Sequence, residues 1–476
     1  MDTTQTSEAV TPGRASHIDD TDIEQFASGL SGRLLGQQDA GYEEARKVWN
    51  GLIDKRPSLI VRCAGVADVI DAVRFARSQG LEISVRGGGH NVAGSAVCND
   101  GLVIDLSEMR AVRVNPRRRT ARAEAGARLG DVDRETQAFG LAAPLGLVSE
   151  TGIAGLTLHG GVGWLTRRHG MSIDNLLSVD IVTADGELLR ASADENKDLF
   201  WAVRGGGGNF GVVTSFQYRL HPVGPQVWFA AAMYPLEKAA GGMKLFREYM
   251  AKAPEDLGAL AVFWSAPSGE EVPEAARGAP VLILMGCYSG PFDKGEEIIR
   301  PLREFDEPVL DLSGPRPFLQ VQKFFDEDYP NGMLYYWKSI FIDELSEPAI
   351  EALAGHAAAR PSSLNSLDVW ALGGAMGRVG PQDTALAGRG SPFMLGIEGN
   401  WREPEQTEAN IAWARKVFKD MHRFSGGGTY LNFSGFAEEG ESLLRGAHGA
   451  NYERLRAVKA RYDPENLFRG NLNIRP

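Results

Sequence analysis

No apolar run in the 476 residues approaches the roughly 18 needed to cross a bilayer. Cysteine is scarce. Cys63, Cys98 and Cys287 form neither an even framework nor a metal-ligand spacing, which argues against a disulfide scaffold, a zinc site and a cysteine nucleophile. The eight histidines make no His-x-x-Glu-His or His-x-x-x-His group. Positive charge is also short: 50 Lys and Arg face 62 Asp and Glu, a net charge of −12. That balance leaves no electrostatic footprint for nucleic acid or an anionic membrane. The basic runs Arg117-Arg118-Arg119 and Arg167-Arg168-His169 are short and read as solvated faces. Met1 to Asp20 is polar and acidic, without the basic-then-apolar pattern of a secretory signal. The cytoplasm is therefore the expected compartment. Nothing in the sequence specifies an oligomeric state.

Glycine is what the chain has in excess, 57 of 476 residues, nearly twice the usual share of about 7%. The glycines cluster without period, which suggests backbone that must approach a ligand. Hydrophobic spacing predicts an N-terminal leader and helix over 1–49, with a helical pattern across 39–52. A glycine-dense α+β region follows over 50–222. Within it, Leu81–Val85 alternates as a strand and Asp185-Gly186 marks a hairpin. From 223 to 439 strand-like runs alternate with helical patterns, which predicts a mostly antiparallel sheet with helices on one side. A C-terminal segment, 440–476, contains a helix over Tyr452–Tyr462.

Gly206-Gly207-Gly208-Asn209-Phe210-Gly211 fits G-x-G-x-x-G, yet a helical segment precedes it and a β-branched run follows. That inverts the strand–loop–helix order a dinucleotide fingerprint requires. Arg86-Gly87-Gly88-Gly89-His90 is more informative. Three glycines after a strand free consecutive N–H groups to cradle a diphosphate. A second cluster, Thr151-Gly152-Ile153-Ala154-Gly155-Leu156 through Gly160-Gly161-Val162-Gly163-Trp164, could supply the opposite wall.

With Asn91 and Gly94-Ser95-Ala96, with Gly205–Thr214, and with the C-terminal run from Asn451 through Tyr462-Asp463-Pro464 to Asn471-Leu472-Asn473-Ile474, the ordered set resembles a known class. It is similar to the FAD-linked oxidases of the vanillyl-alcohol-oxidase/PCMH class, berberine-bridge-enzyme-like branch, over nearly the whole chain from about residue 50. The resemblance implies an α+β, two-domain PCMH-type FAD-binding fold with an antiparallel-sheet substrate domain covered by helices. It also implies that Arg86, Gly87, Gly88, Gly89, His90, Asn91, Gly94 and Ser95 contact FAD. The same holds for Thr151, Gly152, Gly155, Leu156, Gly160, Gly161, Gly163 and Trp164. Gly211, Val212 and Val213, and then Tyr430, Asn432, Asn471 and Asn473, complete the set. His90 would be covalently bonded to the flavin. Many relatives add a cysteinyl second link, but that position here is Val148, so the chain resembles the singly linked 6-hydroxynicotine-oxidase type. His159 stands where relatives usually have glycine, either as a packing variant or as an extra polar group beside the flavin.

A flavin is an electron sink; the protein must add a base that takes a proton from the substrate. The resemblance places the tyrosine of Tyr430-x-Asn432 beside the flavin. The 429–433 run alternates as a strand, which puts both side chains on one face. A phenol with an ordinary pKa near 10 works as a base only if a cation or donor stabilises its anion. Lys338 is the candidate cation and Tyr336 the reserve base, on one face of the Leu334–Ser339 run, with Tyr335 and Trp337 on the other. The expected activity is oxidation of a C–O or C–N bond of a small organic substrate by hydride transfer to FAD, with O2 regenerating the cofactor and yielding H2O2. A dehydrogenase with another acceptor, and a non-catalytic flavin-binding protein, stay open at this point.

Overall fold

The computed structural model describes residues 18–476 apart from Glu271; the expected leader before residue 18 lies outside the described residues. The first helix is Asp20–Gly29, capped by the Asp19 carboxylate on the Thr21 N–H. The helical pattern over 39–52 yields only one turn, Tyr42–Ala45. Residues 49–51 are instead drawn into hydrogen bonds across the molecule: the Trp49 N–H donates to Gly89 O, and the Gly51 N–H to Met333 O.

The glycine-dense region builds two sheets, the first joined by a strand, Arg33–Gly36, from the 1–49 segment expected to hold a leader and a helix. In the first, Arg33–Gly36 pairs antiparallel with Leu59–Arg62, which lies parallel to Leu102–Asp105, itself parallel to Ile83–Arg86. Helix Val66–Gln79 covers them, because Val69, Ala72, Val73 and Ala76 recur at helical spacing and are buried. Gly80 ends that helix in the left-handed conformation, φ 65°. The second sheet is antiparallel, ordered Val112–Asn115, Thr120–Glu124, Val212–Arg219, Leu176–Val182, Leu188–Ser192. Asp185-Gly186 turns its last hairpin, with Gly186 at φ 72°.

The other region is one long antiparallel sheet. Its order runs Leu310–Asp311, Gln226–Pro235, Pro280–Tyr288, Leu257–Ser265, Ser366–Ala371, Phe393–Trp401, Leu334–Ile342. Alternate residues feed two separate cores. Ala230, Ala232, Tyr336, Ile340, Leu367 and Val369 pack with helices Ala239–Met250, Glu347–Ala358 and Thr407–Met421. Phe229, Ala231, Tyr335, Trp337 and Trp370 face the other way, into a core shared with Trp49, Val162, Leu165 and Tyr430. The bare face of this sheet therefore closes on the glycine loops.

Two elements depart from expectation. Arg167 of the supposed solvated run is buried, with its guanidinium donating to Leu372 O (3.1 Å) and Ala253 O (3.2 Å); orphan carbonyls at the junction recruit a five-donor fork. Residues Leu431–Phe433 form a 3-10 turn rather than a strand. The flanking chain lies along the outer edge of the Leu334–Ile342 strand, where the Gly435 N–H donates to Trp337 O and Thr429 Oγ1 to Ser339 O. Covering that edge leaves no second ladder for a full strand. At the C-terminus, Lys459 is fully buried and its ammonium donates to Asp463 (2.5 Å), Asn209 O (2.8 Å) and Phe468 O (2.9 Å).

Candidate active site

A cleft of about 1730 Å³, its open mouth included, runs from the glycine loops to the bare face of the long sheet. It is lined from both regions, by the glycine loops on one side and by Tyr329 and the long sheet's Leu260, Trp337, Trp370 and Met394 on the other. One wall is the loop leaving strand Ile83–Arg86. Gly87, Gly88, Gly89, His90 and Asn91 all line the cleft, and the N–H groups of Gly88, Gly89 and His90 donate to no carbonyl among the described residues. Facing it is the turn Thr151-Gly152 that opens the short helix Ile153–Leu158. A Cβ on Gly88 would overlap Gly152 N and Cα, and one on Gly152 would overlap Gly88 in return. Glycine is thus required on both sides for the two backbones to touch.

His90 stacks on the Trp49 indole at 4.1 Å, and Trp49 stacks on Tyr335 at 3.6 Å. Its Nε2 is shielded from water and has no partner. Burial pushes the imidazole down to about 3, so it is neutral. His159 also lines the cleft, with Nδ1 at 3.3 Å from Gly155 O, and burial pushes it down to about 4. Its Nε2 lies where a side chain on Gly207 would have to go. The 206–211 loop has a structural task. Asn209 Nδ2 donates to Leu472 O at 2.9 Å, and Asn209 Oδ1 accepts from the Ile474 N–H at 2.9 Å. That clamp holds the C-terminal strap with Asn471 at the cleft wall.

Tyr430 marks where the two halves of the cleft meet. Its hydroxyl oxygen accepts from the N–H groups of Gly161 (3.1 Å) and Val162 (3.1 Å) and from Asn432 Nδ2 (2.8 Å). A phenol oxygen has two lone pairs, so three donors complement a phenolate better than a phenol. Burial works against them and leaves the hydroxyl pushed up to about 12.

Comparison with known proteins decides the family. Residues 57–192 match the FAD binding domain family, and residues 429–475 the family described as berberine and berberine like. FAD-linked oxidoreductase YgaK of Bacillus subtilis is 33% identical over 94% of this chain and 97% of its own. The (R)-6-hydroxynicotine oxidase of Paenarthrobacter nicotinovorans is 32% identical over 94% and 97%. The crystal structure of 6-hydroxy-D-nicotine oxidase from Arthrobacter nicotinovorans superposes with a TM-score of 0.82, at 31% identity, covering 94% of this chain and 98% of that one. The chain belongs to the FAD-linked oxidoreductases of berberine-bridge-like type.

The cleft of this FAD-linked oxidoreductase fits the cofactor on its own terms. It offers free N–H groups on side-chain-free loops for a diphosphate and an orphaned, neutral imidazole. Not every expected contact lies on it. Ser95, Thr151, Gly155, Leu156, Gly211, Val212, Val213 and Asn432 line the cleft. Gly160, Gly161, Gly163 and Trp164 are not lining residues: Gly160 lies against the Tyr430 ring, Gly161 supplies a donor to its hydroxyl, and Trp164 packs edge-on against Phe229. Arg86 turns away to donate to Ala45 O, and Gly94 is pressed against Ile53. Asn473 lines a separate shallow pocket with Tyr452.

Tyr336 and Lys338 do share a face, but it is the helix-covered one. The Tyr336 hydroxyl donates to Glu438, and the Lys338 ammonium pairs with Glu439 and lies 4.8 Å from the Phe418 ring centroid. Neither reaches the cleft, so Lys338 is not the cation beside Tyr430; the backbone donors take that place. The residues of that strand facing the cleft side are Tyr335, behind Trp49, and Trp337. Sequence reasoning also missed Trp49, Tyr329, Asp368 and Glu398. The alternation of 366–371 and 393–401 could have flagged the two acids as inward-facing polar residues.

Proposed function

We propose that the chain is an FAD-dependent oxidase that oxidises a C–O or C–N bond of a small organic substrate by removing a hydride from its carbon, with O2 as the acceptor that yields H2O2. The observation that carries this reading is the Tyr430 hydroxyl, held by three N–H donors where the glycine-walled and aromatic halves of one cleft meet. When bound, FAD supplies the two-electron acceptor. His90 is the covalent attachment, and Val148, which also lines the cleft, offers no thiol for a second bond. Cys63, Cys98 and Cys287 are buried and unpaired, in keeping with a single histidyl link and with a cytoplasmic setting. Trp337, Trp370, Phe433 and Leu260 exclude water around the substrate. Tyr430, as the phenolate that the three N–H donors favour, would take the proton from the substrate hydroxyl or amine and become a neutral phenol, while the adjacent carbon gives up its hydride.

The test is a substrate panel mixed with the flavoprotein without air and scored by loss of flavin colour. Peroxide release on admitting air then separates an oxidase from a dehydrogenase. A panel of alcohols, sugars and amines that never bleaches the flavin would leave a binding protein.

A further inference from the structure

The substrate half of the cleft contains two acids that the hydride-transfer reading does not use. Strands Ser366–Ala371 and Phe393–Trp401 pair with Ser366 opposite Glu398 and Asp368 opposite Gly396. Asp368 and Glu398 are therefore diagonal neighbours on the face that meets the flavin side. Gly396 leaves the space between them open: a Cβ there would lie 3.5 Å from Asp368 Cβ and 3.7 Å from Glu398 Oε1. The Glu398 carboxyl thus leans over Gly396 toward Asp368. Both residues line the cleft and are at least 95% buried. The Tyr329 hydroxyl donates to Glu398 Oε2 at 2.7 Å, whereas Asp368 Oδ1 has no partner.

Two carboxyls this close, out of water, cannot both carry charge without a counterion. Burial and mutual repulsion push Glu398 well above the usual carboxylate range, and burial pushes Asp368 up to about 7, with no cation offsetting either. A second, independent observation lies two residues along the same face. Trp370 lines the cleft, is nine-tenths buried and has an indole N–H without an acceptor, so the ligand carries a hydrogen-bond acceptor apart from any group that donates to the acids. Around these groups the wall is aromatic: Trp337 stands opposite Glu398 on the next strand, with Tyr329 edge-on at 5.4 Å and Phe433 edge-on at 5.2 Å. Phe433 in turn contacts Tyr430 edge-on at 5.4 Å, so the acids and Tyr430 border one chamber.

We propose that Asp368 and Glu398 are the recognition site for an organic ammonium group, making the substrate class a basic amine. The proposal rests on the reading of this cleft as the substrate site. An ammonium donates to both carboxyls, supplies the missing counterion and lies among aromatic faces that attract cations. A polyol would need many polar partners, and the surrounding wall offers few. Charge balances: a pair holding one proton carries −1, and a singly charged ammonium neutralises it.

The experiment uses the holoenzyme and three probes of the same shape, benzylamine, benzyl alcohol and benzoate, at pH 8. Dissociation constants are read from flavin difference spectra recorded without air in the stopped-flow dead time, before any reduction bleaches the flavin. Benzylamine should bind at least about tenfold tighter than benzyl alcohol, and benzoate weakest of the three. D368N and E398Q, which keep shape and hydrogen-bonding reach, should each weaken benzylamine at least about tenfold and leave benzyl alcohol within about twofold. Equal affinity for amine and alcohol, or amine affinity indifferent to both variants, would overturn the assignment. Bleaching by an alcohol or sugar alongside that result would leave the oxidase reading intact and sink only the amine site.

Discussion

Replacing Tyr430 with phenylalanine separates two consequences of one oxygen atom. The ring stays, with its edge contact to Phe433, so packing volume is nearly unchanged. Asn432 keeps a second acceptor, Leu156 O at 3.1 Å. The N–H groups of Gly161 and Val162 keep none, since the phenol oxygen is their acceptor and no other hydrogen bond engages them among the described residues. Two buried donors left unpaired cost about 1–3 kcal/mol each, or about 2–6 kcal/mol together. The variant should therefore fold but unfold at visibly lower urea. Separately, removal of a general base slows the step it serves by about 10²–10⁴-fold. The pH profile adds a sign. The hydroxyl is pushed up to about 12, so below that the basic form is a minority that grows tenfold per pH unit. Wild-type flavin reduction should rise with pH from neutrality to the alkaline limit of the fold, and Tyr430→Phe should flatten the rise. Stopped-flow reduction by any bleaching substrate, beside urea titrations of both proteins, measures the whole set. A variant rate within about threefold of wild type, short of the expected range, would remove Tyr430 from the chemistry. An unchanged unfolding midpoint would mean that the two N–H groups do not depend on its oxygen.

Lys338→Met should leave that pH profile in place, because the ammonium faces Glu438 and Glu439 on the helix side of the sheet; a displaced profile would restore it as the partner of the phenol. His90→Ala should release all flavin on acid precipitation, while alanine at Cys63, Cys98 or Cys287 releases none. Colour lost from denatured wild type would refute the covalent bond. Asp133, in helix Leu129–Gln137, accepts from Gln322 Nε2 at 3.1 Å across the junction, and burial pushes its carboxyl up to about 7. The folded state holds this proton more tightly than the unfolded chain does. Its contribution is full below about pH 4 and is lost as pH rises through 7, at about 1.4 kcal/mol per unit. D133N should abolish that slope and be the more stable protein above pH 7 by about 4 kcal/mol at most; parallel urea-midpoint curves for the two proteins would contradict it.

What could be read ahead of the structure follows the range of the interactions involved. Glycine loops are local: Arg86–His90 and Thr151–Gly155 need no partner to announce backbone that must come close to something. The long sheet was visible for the same reason, as runs such as Leu334–Ile342 and Phe393–Trp401 carry their own periodicity. Parity along the chain put Tyr336 and Lys338 on one face and Tyr335 and Trp337 on the other, and that division holds. Parity does not say which face meets the flavin. Helix Thr407–Met421, some seventy residues later in the chain, decides it by packing on the Tyr336 side. The acids were hidden one step further. Asp368 and Glu398 are 30 positions apart and become a pair only through a register that sets Asp368 opposite Gly396. Slip either strand by one residue and its acid moves to the helix side, into an apolar core, and the pair is broken. The register is fixed by the rest of the row, with Leu367 opposite Ile397 and Val369 opposite Leu395, all buried under the helices. The apolar residues that hold the sheet to its helices are thus what bring the two carboxyls together in the cleft.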